Sequence, residues 1–271
     1  MVEVSSASMN NGRAAVPRSR DLTEIVPPWA TRLLVIFGAL LVWEVVVARW
    51  GDPMFISGPI DVVIAVKSVL LTNGVPRALL AALLELTAAF SMALVAGVIL
   101  GMFIGLQKFA YLTVFPIVIM LYAIPQSTIL PLFTIAFGTG SASKIAYGFT
   151  HGIFPITVTV IGALQNIRPL FITTAVSMGA SRYQTLRYVV LPYLIPSLFT
   201  GMRLAMTSTL VGVLLAELYV SGNGIGYFTR RFGLGFDSAK LFALILMLAA
   251  VAVILNESMR RLEIKYSKWA E

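Results

Sequence analysis

The sequence predicts an all-α membrane protein, a polytopic bundle of six transmembrane helices. The chain has 271 residues, of which 58% are hydrophobic and only 12% are charged, whereas soluble domains carry about 25% charged residues. The apolar residues are gathered into runs of about 20, the length of helix that crosses the hydrocarbon core of a bilayer. Lysines and arginines in cytoplasmic loops explain the net charge of +8, so no nucleic-acid partner is expected.

Six apolar runs define the predicted transmembrane helices. They cover about 31–49, 83–106, 112–137, 144–165, 193–219 and 239–257. Most of the 20 lysines and arginines lie on one side if the N-terminus is cytoplasmic, which places both termini and the loop 166–192 in the cytoplasm. The polar segment 1–29 is predicted to be a cytoplasmic N-terminal tail, followed by a transmembrane domain over 30–271. We expect no cleavable signal peptide, because no small-residue cleavage pattern follows the first run.

Several kinds of site are not expected. The chain contains no cysteine and one histidine, which argues against a disulfide framework, a thiolate metal site and a histidine cluster. The segment 138–145 superficially resembles a phosphate-binding loop, but Ser143 stands where the second glycine is needed and Ile145 where a magnesium-binding hydroxyl is needed. We therefore predict no metal, no bound cofactor and no catalytic residue in this chain.

Small residues recur at every fourth position of the second run. They are Ala89, Ala93, Gly97, Gly101 and Gly105. In lipid, such faces let helix backbones approach closely, because burying apolar surface there contributes little. We predict a packing seam that includes the three glycines, either between helices of one chain or between subunits.

The third run contains Pro116, Pro125 and Pro131, which remove backbone hydrogen bonds and bend a helix. Carbonyls freed in a membrane must be met by protein or water, so broken helices line a path or a packed centre. The polar group at this break consists of Gln126, Ser127 and Thr128. With Pro125, these residues either line a translocation path or pack within the bundle.

Two more polar residues are candidates for such a path. His151 either contacts an anionic substrate or bonds to a neighbouring carbonyl or hydroxyl group. Glu217, near the outer end of the fifth run, either faces a partner protein or bonds to the backbone of the glycine-rich turn 222–226.

The segment 50–82 is longer than a simple turn. Residues 61–71 within it have an amphipathic pattern. They form either a helix along the membrane interface or an ordinary re-entrant or surface helix.

The loop 166–192 is predicted to contain two short helices. Pro169 suits the first turn of a helix, which Gly179 then ends, and Ser181 suits the N-cap of the next helix. Pro192 marks the predicted entry into the fifth run. Such an element at the membrane surface, in which a glycine separates two short helices, can transmit force and pivot at a defined residue.

The same loop carries a specific spacing. Gly179 is followed by nine residues, then Val189, one more residue, and Leu191 with Pro192. This spacing resembles the cytoplasmic coupling loop of binding-protein-dependent ABC importer permeases. The segments FTGMRLAMTSTLVGVLLAELYVSGNGIGYF and PQSTILPLFTIAFGTGSASKI resemble the nitrate, sulfonate and taurine branch of that family. The resemblance runs from about residue 78 to the C-terminus.

The resemblance implies a type I ABC importer permease (MetI-like) fold and a non-catalytic subunit of a bacterial inner-membrane uptake system. Its implied partners are two ABC ATPase subunits that bind ATP and magnesium, a second permease chain (a homodimer) and an extracytoplasmic substrate-binding protein. The implied substrate is a small nitrate-, sulfonate- or taurine-like anion. The residues implied to couple to the ATPase are Thr173, Thr174, Ala175, Met178, Gly179, Ala180, Ser181, Arg182, Leu191 and Pro192.

The chain departs from the family pattern at two positions. Thr173 stands where an acidic residue is expected, so docking must depend on shape and apolar contact around Ala175 and Met178, with Ala180 and Ser181 beside them. Glu85 stands where a basic residue is expected at the head of the second run.

An alternative function is a proton- or ion-coupled secondary transporter, in which Glu44 and Glu217 would be the coupling groups. Such a protein is expected to show an inverted repeat of its spans. We find no such repeat between 31–137 and 144–257.

Overall fold

The computed structural model describes residues 27–52, 54–220 and 222–267, and this part of the chain contains helices and no strand. It divides into two units, the first ending at Trp50 and the second beginning at Gly51. The first unit contains one described helix, α1 (Pro28–Trp50), which is mostly apolar and carries the charged residues Arg32, Glu44 and Arg49. The predicted tail lies outside the described residues up to residue 26.

The second unit contains the helical bundle. Its helices are α2 (Pro59–Leu71), α3 (Val75–Leu106), α4 (Lys108–Ala123), α5 (Leu130–Phe137), α6 (Ser141–Gln165), α7 (Pro169–Ser177), α8 (Arg182–Thr185), α9 (Leu191–Tyr219), α10 (Ile225–Leu234) and α11 (Ser238–Ser267). Across the described residues of both units, five helices are long and apolar enough to cross a membrane, or six if the bent pair 108–123 and 126–137 is one span. The prediction of an all-α bundle with six spans is therefore confirmed.

The predicted small-residue seam lies between α3 and α6 of the same chain. An added Cβ at Gly97 would lie 2.9 Å from Ile156 Cβ, and one at Gly101 would lie 2.7 Å from Val160 Cβ. The same contact recurs one turn further on, where Gly105 faces Leu164. Because both partners advance by four residues at each step, α3 and α6 run parallel in one register.

The third span is broken at Pro125. Helix α4 ends at Ala123, the backbone is extended at Ile124, and a 3₁₀ turn over Gln126–Ile129 leads into α5. The two halves make an angle of 82°. Pro125 disfavours helical backbone at the residue before it, which explains why the break falls here. Pro116 lies inside α4 without ending it.

The fifth predicted span continues directly from the helix before it. Helix α8, a π-helical turn over Leu186–Val190 and α9 together form one helical stretch from Arg182 to Tyr219, 38 residues long. Helix α9 itself begins at Leu191, beside Pro192, and the entry of the chain into the membrane at Pro192 stays a prediction. The Leu191 N–H donates to the Leu186 carbonyl five residues earlier, and this wider turn accommodates Pro192, which has no N–H.

The core of the bundle is built from α3, α6 and α9, with residues such as Phe90, Ile156 and Leu194 buried between them. Helix α2 corresponds to the amphipathic segment 61–71 and buries Val62, Ala65 and Val69. Ser57, just before α2, hydrogen-bonds to Ser238 at the start of α11 (Oγ to Oγ, 2.6 Å). Whether α2 lies along a membrane interface stays a prediction.

Candidate functional site

Helix α7, in the loop between α6 and α9, ends with a defined backbone geometry. Helix α7 begins at Pro169, as predicted, and its C-terminus is closed by Gly179, whose φ of +83° lies in the left-handed region. The Gly179 N–H donates to the Val176 carbonyl at 2.9 Å, and the Ala180 N–H donates to the Ala175 carbonyl at 3.0 Å. This pair of bonds is a Schellman motif, which satisfies carbonyls that a helix end otherwise leaves unpaired.

Ser181 starts the next helix, as its sequence position predicts. Its Oγ accepts a hydrogen bond from the Gln184 N–H at 3.3 Å, and its own N–H donates to Gln184 Oε1 at 2.7 Å. This reciprocal arrangement is a capping box, which satisfies two backbone donors at once. The bend between α7 and α8 is therefore four residues long, from Met178 to Ser181, and hydrogen bonds close it on both sides.

The loop exposes an apolar surface around this bend. Met178 is 83% exposed, Leu170 and Tyr183 are each 68% exposed, and Val176 is 60% exposed. The other predicted coupling residues fall into two groups. Thr173, Thr174, Gly179, Ser181, Arg182 and Leu191 are exposed, whereas Ala175, Ala180 and Pro192 are half-buried. Large exposed apolar side chains gathered on one loop are typical of a protein-binding surface.

The structure places the candidate path residues at the break in the third span. Pro125, Ser127 and Thr128 are exposed, and Gln126 is half-buried. The Pro125 carbonyl accepts hydrogen bonds from the Thr128 hydroxyl at 2.7 Å and from the Thr128 N–H at 3.1 Å, so it is satisfied at the break. Gln126 Nε2 donates to the Thr150 carbonyl of α6 at 3.4 Å and ties the turn to the bundle.

His151 lies between α6 and α9. Its Nδ1 is 3.1 Å from the Tyr147 carbonyl, and its ring meets the Tyr147 ring edge-on at 4.5 Å between centroids. Gly212 of α9 packs against the imidazole, because an added Cβ there would lie 2.8 Å from the ring. His151 thus contacts a neighbouring carbonyl group, that of Tyr147, which is one of the two alternatives that the sequence allows.

The bundle also contains a buried charge cluster of Glu85, Lys144 and Glu217. Lys144 Nζ lies 3.1 Å from Glu85 Oε1 and 3.3 Å from Glu217 Oε1, which joins α3, α6 and α9. The three side chains are 6%, 2% and 0% exposed respectively. Charges buried this deeply need partners, and Lys144 supplies one positive charge for two carboxylates.

Glu217 is fully satisfied within this buried charge cluster. Its Oε1 pairs with Lys144, and its Oε2 accepts a hydrogen bond from the Gly226 N–H at 2.9 Å. Gly224 approaches so closely that an added Cβ would meet the Glu217 carboxylate. The bond to the glycine-rich turn is therefore one of the two contacts that the sequence suggests for Glu217.

Sequence reasoning missed the role of Lys144, which is the first residue of the fourth predicted span, 144–165. The available signal was the position of Lys144 in the first turn of an apolar helix. Two carboxylates, Glu85 in the N-terminal third of α3 and Glu217 near the C-terminus of α9, lie in neighbouring apolar helices and need a positive partner. An unpaired carboxylate at that depth requires a cation, and Lys144 is placed to provide it.

The fold and the loop define a class of protein: a polytopic membrane helix bundle with an exposed apolar loop between α6 and α9. Solved structures of the same fold include an inward-facing form of the MetNI methionine ABC transporter. One chain of that structure matches with a TM-score of 0.59 and 20% identity, over 74% of this chain and 98% of that chain.

Curated proteins of similar sequence are transport permeases. The chain is 26% identical to the formylaminopyrimidine transport permease protein of Halalkalibacterium halodurans, over 83% of this chain and 89% of that protein. It is 26% identical to the taurine transport system permease protein of Escherichia coli, over 93% and 92%. It is 25% identical to a nitrate import permease protein of Synechocystis sp., over 92% of each.

Residues 93–268 match the family of binding-protein-dependent transport system inner membrane components. The chain belongs to this family, and it is a permease subunit of a binding-protein-dependent ABC importer. The resemblance on which the sequence analysis relied is thereby confirmed.

Proposed function

We propose that this chain provides the translocation path for a small solute across a bacterial inner membrane and couples it to separate ATPase subunits through the loop 166–192. One observation carries the coupling: the apolar surface of Met178 and its neighbours is exposed on a bend with a defined glycine pivot. Two such chains, together with two ATPases and an extracytoplasmic binding protein, would form the complete importer. Both termini would then be cytoplasmic, as the charge distribution predicts.

The chemistry of the loop favours docking by shape and apolar contact. Thr173 replaces the acidic residue of the family pattern, so no carboxylate at that position is available for a salt bridge to the ATPase. Met178 is exposed at the tip beside the left-handed Gly179 and supplies a flexible apolar side chain. Arg182 adds a positive charge at the edge of the same surface.

The sequence motifs indicate which subunits of the importer would hydrolyse ATP. The segment 138–145 lacks the residues of a phosphate-binding loop, and Ser143 within it is buried at the start of α6. ATP hydrolysis would therefore belong to the partner subunits, and this chain would be a non-enzymatic component. Relatives named for taurine, sulfonate and nitrate transport support a small nitrate-, sulfonate- or taurine-like solute.

Co-purification tests the coupling surface. We expect the tagged chain, purified from its native membrane, to retain an ATPase subunit and to show no ATPase activity without it. Met178→Asp should reduce the recovered ATPase at least tenfold, because a charge would be buried in an apolar contact. Leu234→Asp is the matched control, since Leu234 is 76% exposed at the end of α10. Equal recovery of the ATPase with the Met178→Asp and Leu234→Asp variants would contradict the docking proposal.

Transport tests the pivot. Gly179→Leu places a side chain at φ +83°, which costs about 1–2 kcal/mol in the observed geometry. We expect uptake in ATP-loaded vesicles to fall while the protein still inserts and purifies as a folded species. Unimpaired uptake would argue against the pivot. Uptake driven by a proton gradient without ATP would favour the secondary-transporter alternative instead.

A further inference from the structure

Positive charge is concentrated on the loop 166–192. The loop contains Arg168, Arg182 and Arg187, and neither aspartate nor glutamate occurs within it. Arg168 is the N-cap residue of α7, Arg182 is the first residue of α8, and Arg187 lies in the π-helical turn. All three residues are exposed. The loop therefore presents three positive charges and has no carboxylate of its own to balance them.

The rest of the bundle does not neutralise these charges. None of the three loop arginines forms an ion pair with any residue that the structure describes. Two carboxylates of α11 lie at the cytoplasmic end in the proposed orientation, but other arginines pair with them. Glu257 lies 2.8 Å from Arg260 and 3.3 Å from Arg261, and Glu263 lies 3.5 Å from Arg203. A group of like charges without counter-charges attracts a surface of the opposite sign.

The residues next to these arginines favour a protein surface as the partner. Met178 is 83% exposed and Tyr183 is 68% exposed, and both lie within four residues of Arg182 along the chain. Tyr188, which is 71% exposed, directly follows Arg187. Arginine, tyrosine and methionine are enriched at protein–protein interfaces. The capping box also orders the start of α8, so Arg182 loses less conformational freedom when a partner binds. These features fit a folded protein surface better than lipid headgroups.

We infer that the ATPase surface that receives this loop is acidic, and that its carboxylates pair with the three loop arginines around the apolar contact of Met178. Thr173 leaves the loop without the acidic residue of the family pattern, so every charge that the loop offers to its partner is positive. The polarity of the contact is therefore the reverse of a salt bridge made by a loop carboxylate. This inference rests on the proposed coupling function, and it adds the sign of the charge on the partner. Attraction between opposite charges also speeds association of the two subunits.

Rebinding of the ATPase to the full-length chain tests the inference. The ATPase that co-purifies with the chain is removed, and its rebinding to the chain in nanodiscs of phosphatidylcholine, a lipid without net charge, is followed by biolayer interferometry. We expect Kd to rise at least tenfold between about 50 mM and about 500 mM NaCl, mainly through slower association, because salt screens exposed charge pairs. A Kd that stays constant or falls over this range would overturn the inference, since salt does not screen an apolar contact.

Substitutions at exposed positions test the sign of the partner's charge. Arg182→Gln should weaken binding about three- to tenfold, and combining it with Arg168→Gln and Arg187→Gln should remove most of the salt dependence. Arg261→Gln removes one positive charge from α11 and is the matched control, which should bind like the unmodified chain. Thr173→Glu separates the two possible signs, because it should weaken binding to an acidic partner about tenfold but strengthen binding to a basic one. Tighter binding by Thr173→Glu would overturn the inference.

The remaining outcomes separate this inference from its alternatives. If the triple arginine variant binds the ATPase normally but retains less phosphatidylglycerol from its native membrane, the arginines bind lipid headgroups and the inference is overturned. If the unmodified chain binds the ATPase without salt dependence, the acidic-partner inference fails while the coupling proposal stands. If the folded, unmodified chain binds no ATPase at any salt concentration, the coupling proposal fails, and the inference that rests on it fails too.

Discussion

The close parallel packing of α3 against α6 predicts how much stability is lost when a glycine at this seam is replaced by alanine. An added Cβ at Gly101 would lie 2.7 Å from Val160 Cβ and 3.1 Å from the Thr157 carbonyl oxygen. Carbon atoms in contact prefer about 3.5–4.0 Å, so Gly101→Ala overlaps by about 1 Å with an atom fixed to the backbone. No rotamer change relieves this overlap, and the helices must separate.

The magnitude follows from two opposing effects. Overpacking of this kind costs about 1–3 kcal/mol, and the higher helix propensity of alanine returns at most about 1 kcal/mol. We therefore expect Gly101→Ala to lower the free energy of unfolding by about 1–2 kcal/mol. Gly105→Ala should cost less, although its closest contact is shorter at 2.5 Å, because the obstructing atom is the Leu164 Cδ1 methyl, which can rotate away.

Unfolding in detergent micelles, followed by far-UV circular dichroism, measures these differences. The matched control is Gly162→Ala in α6, where an added Cβ meets nothing within 4 Å. That substitution should stabilise the protein by about 0.5–1 kcal/mol, because alanine loses less backbone entropy than glycine. The reasoning is refuted if Gly101→Ala is as stable as the unmodified chain, or if Gly105→Ala costs more than Gly101→Ala.

Three further substitutions probe other sites. Lys144→Met leaves two buried carboxylates without a cation and should destabilise the fold by about 3–5 kcal/mol, seen as loss of the monodisperse peak in size-exclusion chromatography; a well-folded variant would contradict this. Ser181→Ala removes the capping box at a cost of about 1 kcal/mol, so the amides of α8 should exchange hydrogen about fivefold faster, and unchanged exchange rates would count against it. Tyr147→Phe removes a buried hydroxyl that has no partner among the described residues, so thermal stability should hold or rise by up to about 1 kcal/mol rather than fall.

The local geometry of the loop could be predicted from sequence because it depends on neighbouring residues. Gly179 as a helix stop and Ser181 as an N-cap are conformational preferences that act within four residues, and both are observed. The break at Pro125 is local in the same way. The spacing of Gly97 and Gly101 likewise predicts a close helix contact, since four residues return to the same face.

Features that depend on residues far apart in the sequence were harder to predict. Lys144 pairs with Glu85 and Glu217, which are 59 and 73 positions away, and no local pattern reports such a contact. The continuity of α8 with α9 was not expected, because the fifth span was predicted to begin at Pro192. A π-helical turn before it lets the helix continue, and sequence preferences contain little signal for such a turn.

The helical stretch from Arg182 to Tyr219 is continuous and links the bend after α7 to the buried charge cluster. Its 38 residues span about 57 Å, with the capped bend at Ser181 on one end and the buried Glu217 carboxylate near the other. A tilt of about 5° about one end would displace the far end by about 5 Å, more than the length of any bond in the charge cluster. A displacement of the loop end would therefore be large on the scale of the contacts that Glu217 makes with Lys144. The π turn and Pro196 are two places along this helix where the regular hydrogen-bond pattern is interrupted and the helix can bend.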